Sequence, residues 1–128
     1  MRLELINISD LKPHERFTEG RLRAVMGDLT RPGVLWYPIL VDDKDLIILD
    51  GHHRVEAFKR MGFTKIRALL VDYSDPKIEV YPRRRDIPIT KELIIETVGR
   101  GEIFPHKTTR HKWPGRTKKI NESLEDFR

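Results

Sequence analysis

The chain has no cysteine and no glutamine, and only two asparagines, Asn7 and Asn121, in 128 residues. Without cysteine, disulfides and thiolate metal sites are excluded, which fits a cytoplasmic protein. Few thermolabile amides beside a charged fraction of 35% point to a thermophilic source. Long apolar runs are missing as well. Nothing approaches the roughly 18 residues needed to span a bilayer, and the N-terminus lacks a signal-peptide pattern, so no membrane partner is expected. Acidic residues are the minority: 20 Asp and Glu face 25 Lys and Arg, for a net charge of +5. That balance favours a polyanionic partner, and phosphate on a nucleotide or on nucleic acid both qualify. Much of the excess sits in Arg83-Arg84-Arg85 and in the stretch 106–119.

The length suits one domain with one real core, spanning 1–128. Apolar spacing predicts a strand at 3–8, a loop carrying Pro13-His14-Glu15-Arg16, and a helix at 18–30 that ends before Arg31-Pro32-Gly33. Ile39-Leu40-Val41 and Leu46-Ile47-Ile48-Leu49, joined by the polar turn Asp42-Asp43-Lys44, read as a hairpin. A helix at 53–61, a strand at 66–73 and a shorter extended piece at 78–81 follow. Thr90 is a fitting N-cap for a helix over 91–99, with Leu93, Ile94, Thr97 and Val98 facing inward. From Gly101 onward the chain is rich in Pro and Lys and shows little periodicity. Helices and strands intermix in an α+β pattern.

The densest chemistry lies at Asp50-Gly51-His52-His53-Arg54, between an apolar strand and an amphipathic helix. A strand, a one-glycine turn and a helix start gather free amide N–H groups and the positive end of the helix dipole, an anion site by construction. Arg54 adds a fork suited to phosphate oxygens. Asp50 also reads as an ordinary N-cap and Gly51 as ordinary turn chemistry. Capping does not require two histidines and an arginine. The two histidines stand about 100° apart on the helix and are poorly placed to share a metal ion.

The order of these motifs resembles the ParB/sulfiredoxin superfamily: a loop glutamate after the first strand, a helix, a hairpin ending in Leu-Asp-Gly-His-His-Arg, and an amphipathic helix. Within it, Asp50 to Arg54 together with Lys107-Thr108-Thr109-Arg110-His111 is similar to the free L-serine kinases of archaea, over residues 5 to about 124. The resemblance implies a small mixed sheet with flanking helices, with 1–100 as the core and 101–128 packing beside the active site rather than lying disordered. It implies phosphoryl transfer from ADP or ATP to the hydroxyl of free L-serine, giving O-phospho-L-serine, with Mg²⁺ bound mainly through nucleotide phosphates. Glu15 resembles the catalytic carboxylate that accepts the hydroxyl proton. Asp50 resembles the second functional carboxylate, orienting substrate or standing near the metal. Gly51, His52, His53 and Arg54 would grip phosphate through amides and cationic or donor side chains. Thr108, Thr109, Arg110 and His111 would hold the amino acid, with Arg110 forked onto its carboxylate. Tyr81 is the nearest match to an aromatic on the substrate side.

Two departures are plain in the sequence. The turn carries His52-His53 where sulfiredoxins have Cys-His and nucleotide-hydrolysing ParB proteins have Glu-Arg. The chain is also shorter than the familiar serine kinases ahead of Thr108. Two rival expectations follow. The first is a ParB-like nucleotide- or DNA-binding regulator without kinase activity, drawing on Arg83-Arg84-Arg85. The second is a nuclease, for which only Glu15 and Asp50 are obvious carboxylates. Trp36 and Trp113 read as core or rim aromatics.

Overall fold

The computed structural model describes residues 1–128. Its strands are β1 (Arg2–Asn7), β2 (Val34–Leu35), β3 (Ile39–Asp42), β4 (Ile48–Asp50), β5 (Lys65–Val71), β6 (Glu79–Pro82), β7 (Thr109–Lys112) and β8 (Glu122–Ser123). Three α-helices intervene: α1 (Glu19–Thr30), α2 (His52–Arg60) and α3 (Lys91–Gly99). The fold class is α+β, as expected from the sequence.

The main sheet runs in the order β1-β5-β3-β4. Strand β5 pairs antiparallel with β1 and parallel with β3, while β3 and β4 form the antiparallel hairpin. Both faces of its centre are covered, so β3 is buried along its whole length. Strand alternation divides the side chains into two layers. Ile39, Val41, Ile48, Ile66, Ala68 and Leu70 point to one side, where Leu22 and Leu29 of α1 and Val55 and Phe58 of α2 pack on them. Leu40, Leu49 and Val71 point to the other, against Tyr73, Ile78 and Ile94 of α3. The residues after Gly101 return to this frame. Strand β7 pairs with β6, β8 pairs with β2, and a closing 3₁₀ turn buries Leu124 and Phe127 beside Phe58.

Helix boundaries follow local chemistry. Thr18 and Thr90 cap α1 and α3, their hydroxyls accepting from the N–H groups of Arg21 and Leu93. Helix α2 stops where Gly62 turns left-handed (φ 85°). There the Phe63 N–H bonds to Phe58 O at 3.0 Å and the two rings meet with centroids 5.0 Å apart. Glu56 pairs with Arg60 at 3.5 Å along the exposed side of α2.

The start of α2 is different. Its N-cap is Gly51, with no side-chain cap, so Asp50 does not serve as the capping residue that its position suggests. Gly51 stands at φ 110°, and a Cβ there would lie 2.5 Å from Ile39 Cγ2 and 2.9 Å from Arg54 Nη2. Only glycine lets the hairpin turn directly into α2 at this corner. Gly51→Ala is therefore expected to cost roughly 3 kcal/mol through strain and overpacking. Chemical denaturation reads this directly; a midpoint equal to the parental one would show that the corner yields freely.

Candidate active site

Helix α2 opens onto a cleft of about 620 Å³. Its wall includes Glu15, Asp50, Gly51, His52, His53, Arg54 and Thr109. The α2 ladder begins with Val55 N–H to Gly51 O at 3.0 Å, so the amides of His52, His53 and Arg54 lie ahead of it. The cleft also holds Arg21 from α1, Arg83, Lys107 and Arg116, against the single further acid Asp28. Cationic side chains and the positive end of a helix thus share one concavity, as a polyphosphate requires.

The loop between β1 and α1 is stitched down on both flanks. The Lys12 N–H bonds to Leu46 O at 2.9 Å and Lys12 O accepts from Ile48 N–H at 2.8 Å. On the other side, Phe104 N–H donates to His14 O at 2.8 Å and Arg16 N–H to Phe104 O at 2.9 Å. The two histidines of α2 complete the fastening. His52 Nε2 accepts from the His14 N–H at 3.1 Å, and His53 Nε2 accepts from the Thr18 N–H at 3.1 Å. Glu15 lies between these two tethered amides.

The imidazoles therefore act as acceptors. A ring that accepts at Nε2 carries its proton on Nδ1 and is neutral. Burial disfavours the charged form of both: His52 is held well below the usual histidine value, with His14 and His111 nearby adding to the effect, and His53 is also lowered, with Arg21 adding. Of the expected grip by cationic or donor side chains, the cationic form of these histidines is disfavoured by burial. These side chains hold the loop, while the backbone amides at the start of α2 and the side chains of Arg21, Arg83 and Lys107 line the cleft.

Arg54 is also engaged within the fold. Its Nη1 donates to Tyr37 O at 2.8 Å and Pro38 O at 3.0 Å, and its Nη2 pairs with Asp50 Oδ2 at 2.9 Å. Three of its five N–H groups are thus engaged at the strand entry and on Asp50, and Arg54 brings its charge and the remaining two to the cleft wall. Asp50 stays about half exposed.

Of the 108–111 stretch, only Thr109 reaches the cleft. Its hydroxyl lies 2.9 Å from Glu15 Oε2, and its N–H lies 3.3 Å from the same oxygen. Strand alternation sends Thr109 and His111 inward and turns Arg110 and Lys112 to solvent. Arg110 stands opposite Tyr81 on the outer face of the β6–β7 ribbon, and neither lines the cleft. Thr108 is buried, donating to Pro105 O at 2.6 Å, and His111 lies beneath the site bonded to Tyr73 Oη at 2.8 Å. Arg110 and Tyr81 are thus not placed to hold a substrate in this cleft. Residues that sequence reasoning did not assign to the site do line it: Arg21, Tyr37, Lys107 and Arg116, with Trp36 and Trp113 at its aromatic rim. Arg21 carries no periodic or motif signal, and Lys107 opens the 107–111 motif without having been assigned a role in it.

No protein-family model matches the chain. An ATP-dependent L-serine kinase of Staphylothermus marinus is 38% identical over 81 residues, which is 59% of this chain and 32% of that protein. An ADP-dependent L-serine kinase of Thermococcus kodakarensis is 31% identical over 80 residues, 59% of this chain and 33% of that one. The chain spans about a third of the length of the curated relatives it matches. Among solved structures, a free serine kinase in complex with AMP superposes with a TM-score of 0.87 at 20% identity, covering 98% of this chain and 93% of that one. The chain thus has the fold of that free serine kinase structure over nearly its whole length. A ParB-like protein of Sulfolobus acidocaldarius is also similar, at 34% identity over 79 residues, 62% of this chain and 39% of that one. No helix is long and apolar enough to cross a membrane.

The buried histidines make stability depend on pH. His14, His52 and His111 are all held below the usual value by burial, His111 down to about 3. The unfolded chain therefore binds protons that the folded chain refuses once pH falls below about 6.5. Stability should be level in this respect above pH 7 and fall between pH 6.5 and 5, by up to about 1.4 kcal/mol per pH unit for each histidine. Urea unfolding at pH 7.5, 6.0 and 5.0 measures it, and equal free energies at all three would contradict neutral burial.

Proposed function

We propose that this chain is a cytoplasmic small-molecule kinase that transfers a phosphoryl group from ADP or ATP to the hydroxyl of free L-serine, giving O-phospho-L-serine. The observation that carries this reading is the placement of Glu15. Its carboxylate is held at the wall of the same cleft onto which the uncapped start of α2 opens. An alcohol is a poor nucleophile, and a carboxylate within reach takes its proton as its oxygen attacks phosphorus. The bond from that phosphorus to the bridging oxygen breaks, and the nucleotide leaves with the charge.

The amides of His52, His53 and Arg54, with Arg21 reaching over from α1, would hold the polyphosphate. Arg83 and Lys107 enter the cleft where Arg110 does not, and become the candidates for the serine carboxylate or the transferred phosphate. Trp36, Tyr37 and Trp113 offer apolar surface to a purine. Asp50, fixed by Arg54 and half exposed, would orient the acceptor. A Mg²⁺ ion would be carried in on phosphate oxygens and water. Such an ion would supply charge neutralisation at those oxygens.

The regulator reading retains one observation. Tyr81, Arg110 and Lys112 share the solvent-facing side of the β6–β7 ribbon, with Lys112 over the Tyr81 ring. It would require DNA affinity falling steeply with salt.

Incubation with Mg²⁺, ADP or ATP, and a panel of hydroxyl amino acids, read by mass spectrometry, should show O-phosphoserine. Glu15→Gln should lower turnover by at least 100-fold while calorimetry finds nucleotide affinity within a few-fold of parental. Parental turnover in that variant would remove Glu15 from the role of base.

A further inference from the structure

Behind Glu15 lies a chain of hydrogen bonds whose protons do not add up for an ionised carboxylate. His14 is wholly buried, and its Nδ1 lies 2.6 Å from Ile48 O. A carbonyl only accepts, so Nδ1 carries a proton and donates it. The other ring nitrogen, Nε2, lies 2.8 Å from Thr109 Oγ1, and that same Oγ1 lies 2.9 Å from Glu15 Oε2. With His14 neutral and Glu15 ionised, both neighbours of the Thr109 hydroxyl are acceptors. The hydroxyl has one proton and can satisfy one of them. If it donates to Glu15, a buried imidazole nitrogen is left unpaired, which is costly in this setting.

One further proton completes the chain. When Glu15 holds it on Oε2, Glu15 donates to Thr109 Oγ1, the Thr109 O–H turns to His14 Nε2, and His14 Nδ1–H remains on Ile48 O. Every polar atom along the line is then paired. The groups facing His14 favour this ordering over an imidazolium. Burial disfavours its charged form, while Glu15, Asp50 and the Ile48 carbonyl pull the other way without reversing the direction. His52 packs edge-on with centroids 4.6 Å apart, and His111 lies at 5.8 Å.

We propose that Thr109 and His14 are positioning residues for the base: the Thr109 hydroxyl turns from Glu15 to His14 as Glu15 accepts the proton of the attacking hydroxyl, so the relay stabilises the protonated carboxyl that the transfer step creates. The inference rests on the kinase reading, because it concerns a proton delivered by the phosphoryl acceptor. It assigns work to two residues beyond the carboxylate itself. It also gives a reason for Thr109 to carry a hydroxyl at a position where its backbone N–H already reaches Glu15.

Three variants test it. Thr109→Val keeps the shape and the backbone N–H but removes the hydroxyl; Thr109→Ser restores the hydroxyl. Thr109→Val should lower kcat about 10- to 100-fold with the KM for nucleotide unchanged, and Thr109→Ser should return to within a few-fold of parental. Parental kcat in Thr109→Val would overturn the relay, as would an equal loss in both variants, because packing rather than the hydroxyl would then be at stake. The third variant, Glu15→Gln, is read by ¹⁵N NMR of the histidine rings and requires no turnover. A glutamine amide donates to Thr109 and forces its hydroxyl onto His14, so the His14 Nε2 resonance should move in Glu15→Gln and move differently in Thr109→Val. An unmoved His14 Nε2 in both variants refutes the coupling. If the parental protein makes no phosphoserine while His14 still responds, the kinase reading fails and the relay as a proton-responsive chain stands.

Discussion

Two ring nitrogens hold this site together. His52 and His53, one after the other at the start of α2, accept from the amides of His14 and Thr18, and Glu15 lies between those amides. Adjacent helical residues point about 100° apart, and here the divergence is used: each ring reaches a different point of the same loop. The start of α2 thereby fixes a carboxylate at one side of the cleft while its own amides face the cleft on the other. Gly51 makes the corner tight enough, and Arg54, tied to Tyr37 O, Pro38 O and Asp50, keeps the hairpin from opening beneath it.

The arrangement has an electrostatic cost. Neutral imidazoles are needed as acceptors in a cleft lined with arginine and lysine, and burial with neighbouring positive charge keeps them neutral. The same positive surroundings suit phosphate. Exposed pairs such as Arg60 with Glu19 add little to stability. The buried apolar layers on both faces of the main sheet carry the fold, leaving polar side chains at the cleft free for function.

Much of this was legible in the sequence, and the failures have physical causes. Helix α3 matched its expected span because Thr90 caps it and its apolar residues recur at helical spacing. The hairpin and the turn at Gly51 into α2 followed from β-rich runs around a single glycine. The partners of His52 and His53 were not legible, since they lie 38 and 35 residues away and are backbone amides, which leave no mark on side-chain patterns. Arg110 was misplaced for another reason. Residues 109–112 form a strand only through pairing with β6, and in so short a ribbon no periodicity announces that Thr109 turns inward and Arg110 outward. Tyr81 was carried outward by the same register, directly opposite Arg110.

The central claim is that the start of α2 is at once the phosphate site and the anchor of the loop that bears the base. A titration of the ¹⁵N-labelled protein with ADP, followed by amide chemical shifts, tests it most directly. The account predicts that the amides of His52, His53 and Arg54 shift together with those of His14 and Thr18, along one binding curve. Saturable ADP binding that leaves all five amides unmoved would contradict it.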